Sequence, residues 1–428
     1  MNKIKVIVVG CGDRATVYAK EGYKNLQKMQ IVAAVDPDEE RLKYMQTEFD
    51  VPKEYCFKDI SGVLKLGKIA DCIINGTMDD LHIKTTVPFL EQGYDVLLEK
   101  PLTNNEEELL YLKETAEKYG CKLFVCHVLR YSPFYRKIKE ILLSGEIGRI
   151  ININTTERVG VVLSSAAFIR GKWNKESECG SSLLLAKCCH DLDLLCWLNN
   201  ETVPEEIYSD GGRDFITPEN APKGAGTRCL VDCPEEVRKN CIYDAKVMYL
   251  DNCPLPWYPW QCTGKNWWDV TEEEKIESLK TYNPHGICAF KCDGDLVDHQ
   301  NVSIKFKNGS TAQHSMLLGC IRGGRSIYIA GTLGEIEGYA EEGHFVVRHY
   351  DRKTAGFTEK AYDFNDKLGE SGGHFGGDRG LVHDFTAVML GEGYSVSCTS
   401  IEDSVNGHMA VFRADESMKA GKALKFRK

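Results

Sequence analysis

No run of the chain approaches the roughly 20 consecutive apolar residues that a membrane-spanning helix needs. An excess of positive charge is missing too. The 53 Lys and Arg stand against 63 Asp and Glu, a formal net charge of -10, which argues against nucleic acid and anionic membrane surfaces as main partners. There is no internal repeat and no low-complexity tract, so solenoids and arrays are excluded. A signal-peptide pattern is also lacking, because the short apolar run Ile4-Lys5-Val6-Ile7-Val8-Val9 leads straight into a glycine turn. The expected location is cytoplasmic. What is abundant is cysteine, with 18 residues. In a reducing compartment these are expected to be free thiols or metal ligands, not a disulfide framework. At 428 residues the chain is too long for one typical core, and two domains are expected.

The first part alternates strand and helix patterns, as a parallel sheet requires. Strands are predicted at Ile4 to Val9, Gln30 to Val35, Asp71 to Asn75, Tyr94 to Leu98 and Lys122 to Cys126, with helices between them. From about residue 127 the pattern changes to clustered strands and separate helices, which indicates an α+β arrangement around one broad, mostly antiparallel open sheet. The expected fold is therefore α/β: a Rossmann dinucleotide-binding domain over residues 1–126 and a second, α+β domain over 127–428. A Cys-, Trp- and Pro-rich segment at about 204–283 reads as a long irregular insertion with little core of its own.

Strand one runs into Gly10-Cys11-Gly12-Asp13-Arg14-Ala15, a Gly-x-Gly-x-x-Ala turn opening a helix. Gly10 permits the tight turn, Gly12 lets the backbone approach a pyrophosphate, and Ala15 allows close helix packing. The phosphates are expected on the helix start at Asp13 and Arg14. Asp36 ends strand two, where a carboxylate accepts from both ribose hydroxyls and repels a 2′-phosphate, favouring NAD over NADP. His82, at the start of a later helix, is placed with the same cofactor set. Glu99-Lys100-Pro101 follows the apolar strand Tyr94 to Leu98 and faces the same crevice. A desolvated Lys100 beside a positive nicotinamide is expected to have a lowered pKa.

Five ordered pieces, Gly10-x-Gly12-x-x-Ala15, Glu99-Lys100-Pro101, Arg130-Tyr131-Ser132-Pro133, Ser144-Gly145-Glu146-Ile147-Gly148 and Cys189-His190-Asp191-Leu192-Asp193, resemble the Gfo/Idh/MocA oxidoreductases over nearly the whole chain. Phe168-x-Arg170-Gly171-x-Trp173, Lys187-Cys188-Cys189-His190-Asp191 and Gly373-His374-Phe375-Gly376-Gly377-Asp378 are similar to a bacterial subgroup of that family. The resemblance implies bound NAD(H) or NADP(H), substrates that are sugars or polyols, and an open sheet whose outer face makes oligomer contacts. A homodimer or homotetramer is expected. It also implies a role for Lys100 near the nicotinamide, Glu99 as its support, a cis Pro101, and His190 as the histidine that relays the hydroxyl proton. The acidic residue often found four positions before that histidine is here Ala186. Lys187 lies three residues before His190 and four before Asp191 on the helix pattern, and the three are expected to share a face. Either Lys187 or Asp191 substitutes for the missing acid, or Asp191 only caps or forms a salt bridge.

His127, Arg130 and Tyr131 follow the last Rossmann strand and are expected to border the cleft, with Arg170, Trp173, His299 and His374 as further sugar-binding candidates. Cys229, Cys233, Cys241 and Cys292 are candidates for a structural Zn²⁺, with scattered free thiols as the alternative. The expected activity is NAD-dependent oxidation of a secondary hydroxyl of a sugar. A redox-neutral glycosidase acting through transient oxidation, and a non-catalytic NAD-binding sensor, are the alternatives.

Overall fold

The computed structural model describes residues 3–364, 373–398 and 401–426. Six strands, β1 (Ile4–Val9), β2 (Met29–Val35), β3 (Cys56–Phe57), β4 (Cys72–Asn75), β5 (Asp95–Leu98) and β6 (Leu123–Val125), form one sheet in the order β3-β2-β1-β4-β5-β6. Every pair in it is parallel. This is the doubly wound order, and the strand order reverses between β1 and β4, so a crevice opens at their carboxyl ends. The strand sequences are apolar at successive positions because both faces are covered. Val6 and Val8 enter one core, while Ile7 and Val9 enter the other. Local caps fix the helix starts: Asp38 accepts from Glu40 N at 2.9 Å, and Asn105 accepts from Glu108 N at 2.8 Å.

The second sheet has nine strands in the order β14-β13-β12-β11-β7-β10-β9-β8-β15. In chain order these are β7 (Ile150–Gly160), β8 (Pro204–Gly212), β9 (His299–Phe306), β10 (Thr311–Cys320), β11 (Gly324–Gly331), β12 (Gly334–Tyr339), β13 (His344–Asp351), β14 (Gly356–Asp363) and β15 (Leu424–Lys425). Only β7 and β10 run parallel. Strand β9 shows the alternation of a one-sided sheet, with Val302, Ile304 and Phe306 buried and Ser303 and Lys305 exposed. The helix Leu183–Leu198 lies on the inner face and is buried on almost every side. A helix apolar all round is one packed between layers.

Three features differ from those expected. Residues 204–212 are strand β8 of the large sheet, so the irregular segment begins at 213. That segment has a core of its own, in which Ile216, Tyr243, Met248, Trp260, Leu279 and Phe290 pack together. The third concerns the first core, which does not end at residue 126. Leu381, Val382 and Phe385 complete one side of the Rossmann sheet, and Val405 and Met409 complete the other. The chain therefore returns at its carboxyl end to cover the sheet with which it began.

Candidate active site

Gly10 adopts φ 76, and a Cβ there would stand 2.7 Å from Thr77 N. The turn therefore needs glycine. At Gly12 an added Cβ would meet only Arg41 Nη1, at 3.9 Å. It would fill open space in front of the first turn of the helix Asp13–Lys20, where free N–H groups favour an anion. Asp36 is buried at the end of β2, its oxygens accepting from Cys11 N at 2.8 Å and Asp38 N at 2.9 Å. Arg41 Nη1 approaches the same carboxylate at 3.4 Å. These groups fit a dinucleotide: a glycine cradle, a helix terminus and a fixed carboxylate.

Glu99, at the carboxyl end of β5, is clamped on three sides. It accepts from Tyr18 OH at 2.6 Å, from Arg14 Nε at 3.1 Å and from Lys100 N at 2.9 Å. Burial alone would raise its pKa, but Arg14 and Lys100 hold it below the usual carboxylate range. The Lys100–Pro101 peptide is cis. Among the described residues the Lys100 ammonium has no hydrogen-bond partner, yet its pKa is raised, not lowered as expected. Burial pulls it down, and the acidic side chains of Cys189, Glu99 and Asp79 outweigh that pull.

Four histidines line up behind this lysine. The ring centre of His127 lies 5.8 Å from His190 and 5.4 Å from His408, and His190 lies 6.3 Å from His374. His190 is buried, its Nδ1 has no partner, and burial together with Lys100 and His127 holds it well below the ordinary imidazole range. It is a neutral base at pH 7. His127 is equally buried, and neither ring nitrogen is hydrogen-bonded, although Nε2 lies 3.3 Å from Asp193 Oδ1. His408 is fixed between Ser404 O at 3.0 Å and Leu102 N at 2.9 Å. His374 is the most exposed of the four.

Several expected site residues are occupied elsewhere. Lys187 pairs with Glu157 at 3.2 Å, and Asp191 accepts from Arg325 Nε at 2.9 Å; both face the large sheet. Residues 190 and 191 are separated by about 100° around a helix, so a helix between two layers directs His190 to the crevice and Asp191 to the sheet. Arg130 forks onto Asp193, with Nε 2.6 Å from Oδ2. Arg170 donates to Ile287 O at 2.7 Å, Ser165 Oγ at 2.7 Å and Tyr243 O at 2.8 Å, tying the insertion to the helix before it. His82 has Pro101 O at 2.7 Å from Nδ1 and Thr77 O at 3.1 Å from Nε2, so it props the crevice walls. His299 pairs with Asp298 at 2.8 Å at the start of β9, and Tyr131 is buried in the first core. Trp173 packs near Tyr258, ring centres 6.3 Å apart, with Lys172 Nζ 4.2 Å above its ring.

Among the described residues no three of Cys229, Cys233, Cys241 and Cys292 offer sulfurs close enough to share an ion. Arg170 Nη2 stands 3.6 Å from Cys229 Sγ, where a dication would be repelled, and Cys292 Sγ donates to Cys288 O at 3.4 Å. The group that does have ligand spacing is Cys188, Asp191 and His314, but Arg325 already supplies the positive charge there. Metal analysis of the purified chain is expected to find less than about 0.2 Zn per chain, since a structural site needs four converging ligands.

Sequence reasoning missed Tyr18, which supports Glu99, and the insertion's Tyr258, close enough to Lys100 for that charge to lower its phenol against the upward pull of burial. It also missed Lys172, on which Asp79, Arg41 and Asp13 all act from the crevice side.

Residues 4–127 match the model described as the oxidoreductase family, NAD-binding Rossmann fold, and residues 135–227 match the GFO/IDH/MocA C-terminal domain. The chain belongs to the Gfo/Idh/MocA family. Among its relatives is YteT of Bacillus subtilis, an oxidoreductase by name, 27% identical over 374 residues that span 83% of this chain and 81% of YteT. Inositol 2-dehydrogenase of Corynebacterium glutamicum is 25% identical over 201 residues, 47% of this chain and only 55% of that enzyme. A levoglucosan dehydrogenase solved with NADH and levoglucosan superposes with a TM-score of 0.70 at 15% identity, each chain fully covered. The scyllo-inositol dehydrogenase of Lactobacillus casei, solved with NAD(H) and scyllo-inositol, gives 0.64 at 14% identity over 99% of each chain. These likenesses establish the fold of a Gfo/Idh/MocA oxidoreductase with an NAD-binding Rossmann half.

Proposed function

We propose that this Gfo/Idh/MocA chain is an NAD-dependent oxidoreductase acting on a secondary hydroxyl of a sugar or cyclic polyol. The observation that carries this is a neutral, buried His190 under the charge of Lys100, at the carboxyl end of β5 beside the glycine cradle. Relatives named for inositol and levoglucosan support the substrate class. The nicotinamide, when bound, supplies the hydride acceptor. Gly10, Gly12 and the helix start hold the pyrophosphate, and Asp36 receives the adenosine ribose hydroxyls and disfavours a 2′-phosphate. The Lys100 ammonium donates to the substrate oxygen and stabilises negative charge developing on it. His190, neutral at pH 7, accepts the hydroxyl proton. Glu99, gripped by Arg14 and Tyr18, fixes the backbone from which Lys100 projects.

The test is a panel of myo-inositol, levoglucosan and p-nitrophenyl glycosides offered to the NAD-loaded chain. The expected result is NADH formed in proportion to substrate consumed. Release of p-nitrophenol with no net NADH would show the redox-neutral glycosidase instead, and full cofactor loading with neither product would favour the sensor.

A further inference from the structure

Of the six tryptophans, four lie between residues 257 and 268 of the insertion. Trp260 is buried in its core, but Trp257 keeps 42% of its surface exposed. A single exposed apolar residue is ordinary on a protein surface. This one is braced. Pro254, Pro256 and Pro259 surround it in the sequence, each with its φ fixed by a ring. Tyr258 N donates to Leu255 O at 3.2 Å, and Pro259 O accepts from Asn283 Nδ2 at 2.7 Å. A large apolar ring is thus held out into water on a stiff segment.

Trp257 is also the outer end of a row of rings. Its centre lies 6.2 Å from that of Tyr258, Tyr258 lies 6.3 Å from Trp173, and Trp173 lies 6.4 Å from the buried Phe168. Tyr258 is half-buried and packs against both the insertion core and the core under the large sheet. It stands close enough to Lys100 for that charge to act on it. The stretch after Trp173 meets the crevice wall directly, where Ser181 Oγ donates to Asp79 Oδ2 at 3.2 Å. Lys172 Nζ already covers the Trp173 ring, so the free ring of the row is Trp257. The row leads from the Lys100 crevice out to solvent.

We propose that Trp257 is a second sugar subsite and that the preferred substrate is a glycoside of at least two rings, which rests on Lys100 and His190 meeting the reacting ring. The face of a pyranose presents C–H groups of positive partial charge, and the face of an indole is electron-rich, so the two stack. The proline bracing means that little side-chain and backbone freedom is lost when a sugar arrives, which preserves the affinity gained. A ring remote from the reacting carbon contributes binding energy that a monosaccharide lacks.

Calorimetric titration of the NAD-loaded chain with glucose, maltose, cellobiose and lactose tests the subsite. At least one disaccharide is expected to bind about tenfold more tightly than glucose, and Trp257→Ala should abolish the difference while leaving glucose affinity unchanged. Trp257→Phe should keep part of the preference. Trp268→Ala, which removes a more exposed ring outside the row, should keep all of it. Equal affinity for glucose and the disaccharides, a preference that survives in Trp257→Ala, or no binding of any of the four sugars overturns the subsite. The oxidoreductase reading is judged apart from this, by NADH formed from the inositol, levoglucosan and glycoside panel. If Trp257→Ala instead dissociates a wild-type oligomer in size-exclusion chromatography and leaves sugar affinity as it was, the ring belongs to a contact with a second copy of the chain, and the subsite is again overturned.

Discussion

Lys100→Ala is expected to lower kcat/KM by about 100- to 10,000-fold on any sugar the wild type turns over. NADH affinity should stay within about threefold, the pattern of an interaction made mainly in the transition state. The ammonium has no hydrogen-bond partner among the described residues, and it sits among acidic groups that keep it charged. It is therefore poised for an oxygen that arrives with substrate. The backbone of residue 100 does a separate task, donating to Glu99 at 2.9 Å, and alanine preserves that bond. Loss of turnover with retained cofactor thus isolates the side chain. Lys100→Arg keeps the charge but widens it into a planar fork, and should recover only part of the rate. Near-wild-type kinetics in Lys100→Ala would remove the lysine from the chemistry. Lost NADH binding would instead make it a cofactor anchor.

The same reasoning gives the pH response of turnover its sign. His190 acts as a base only when neutral, and burial with Lys100 holds its pKa well below the ordinary imidazole value. Activity limited by this group should therefore persist well into the acid range, falling only as pH passes through that depressed pKa. Relief of the depression in Lys100→Ala should move the acid limb of any residual activity upward.

The Rossmann half was legible because its signals are local. An apolar strand and a glycine turn each declare themselves within ten residues, and Gly10 behaves as its sequence indicates. The long helix over Leu183–Leu198 was likewise readable from its apolar length. Strand β14 was missed because an edge strand needs no apolar alternation. Gly356–Asp363 is exposed at almost every position and pairs only with β13. The division of labour on the central helix was also hidden. Spacing put Lys187, His190 and Asp191 near one another, but whether adjacent residues share a task depends on how many layers grip the helix. With a sheet bearing Glu157 and Arg325 on one side and the crevice on the other, residues 190 and 191 separate. Long-range neighbours such as Tyr258 reach the crevice through an insertion whose path no local pattern encodes.

Arg130→Met is expected to destabilise the fold by about 3–5 kcal/mol, the cost of leaving a buried charge without its partner. Arg130 and Asp193 are both fully buried, and the guanidinium meets the carboxylate as a fork. Arg130 also lies over the Trp197 ring, 5.6 Å from its centre, so the substitution removes contact area as well as charge. Even in the wild type, burial outweighs Arg130 and pushes Asp193 up to about 6. A carboxyl whose folded pKa is raised favours the protonated fold. The penalty of ionising it is present above the folded value and fades as pH falls toward the unfolded value near 4. Removing Arg130 raises Asp193 further. The gap between wild type and variant should then be wide at about pH 8, an apparent Tm lower by about 5 °C or more, and narrower at about pH 5. The double variant Arg130→Met/Asp193→Leu, which removes both charges, should regain most of the loss. A single variant as stable as the wild type at both pH values would mean that the fork contributes nothing to holding the helix Leu183–Leu198 against the Rossmann half. In that case Arg130 would become available for the substrate-binding role that its sequence position first suggested.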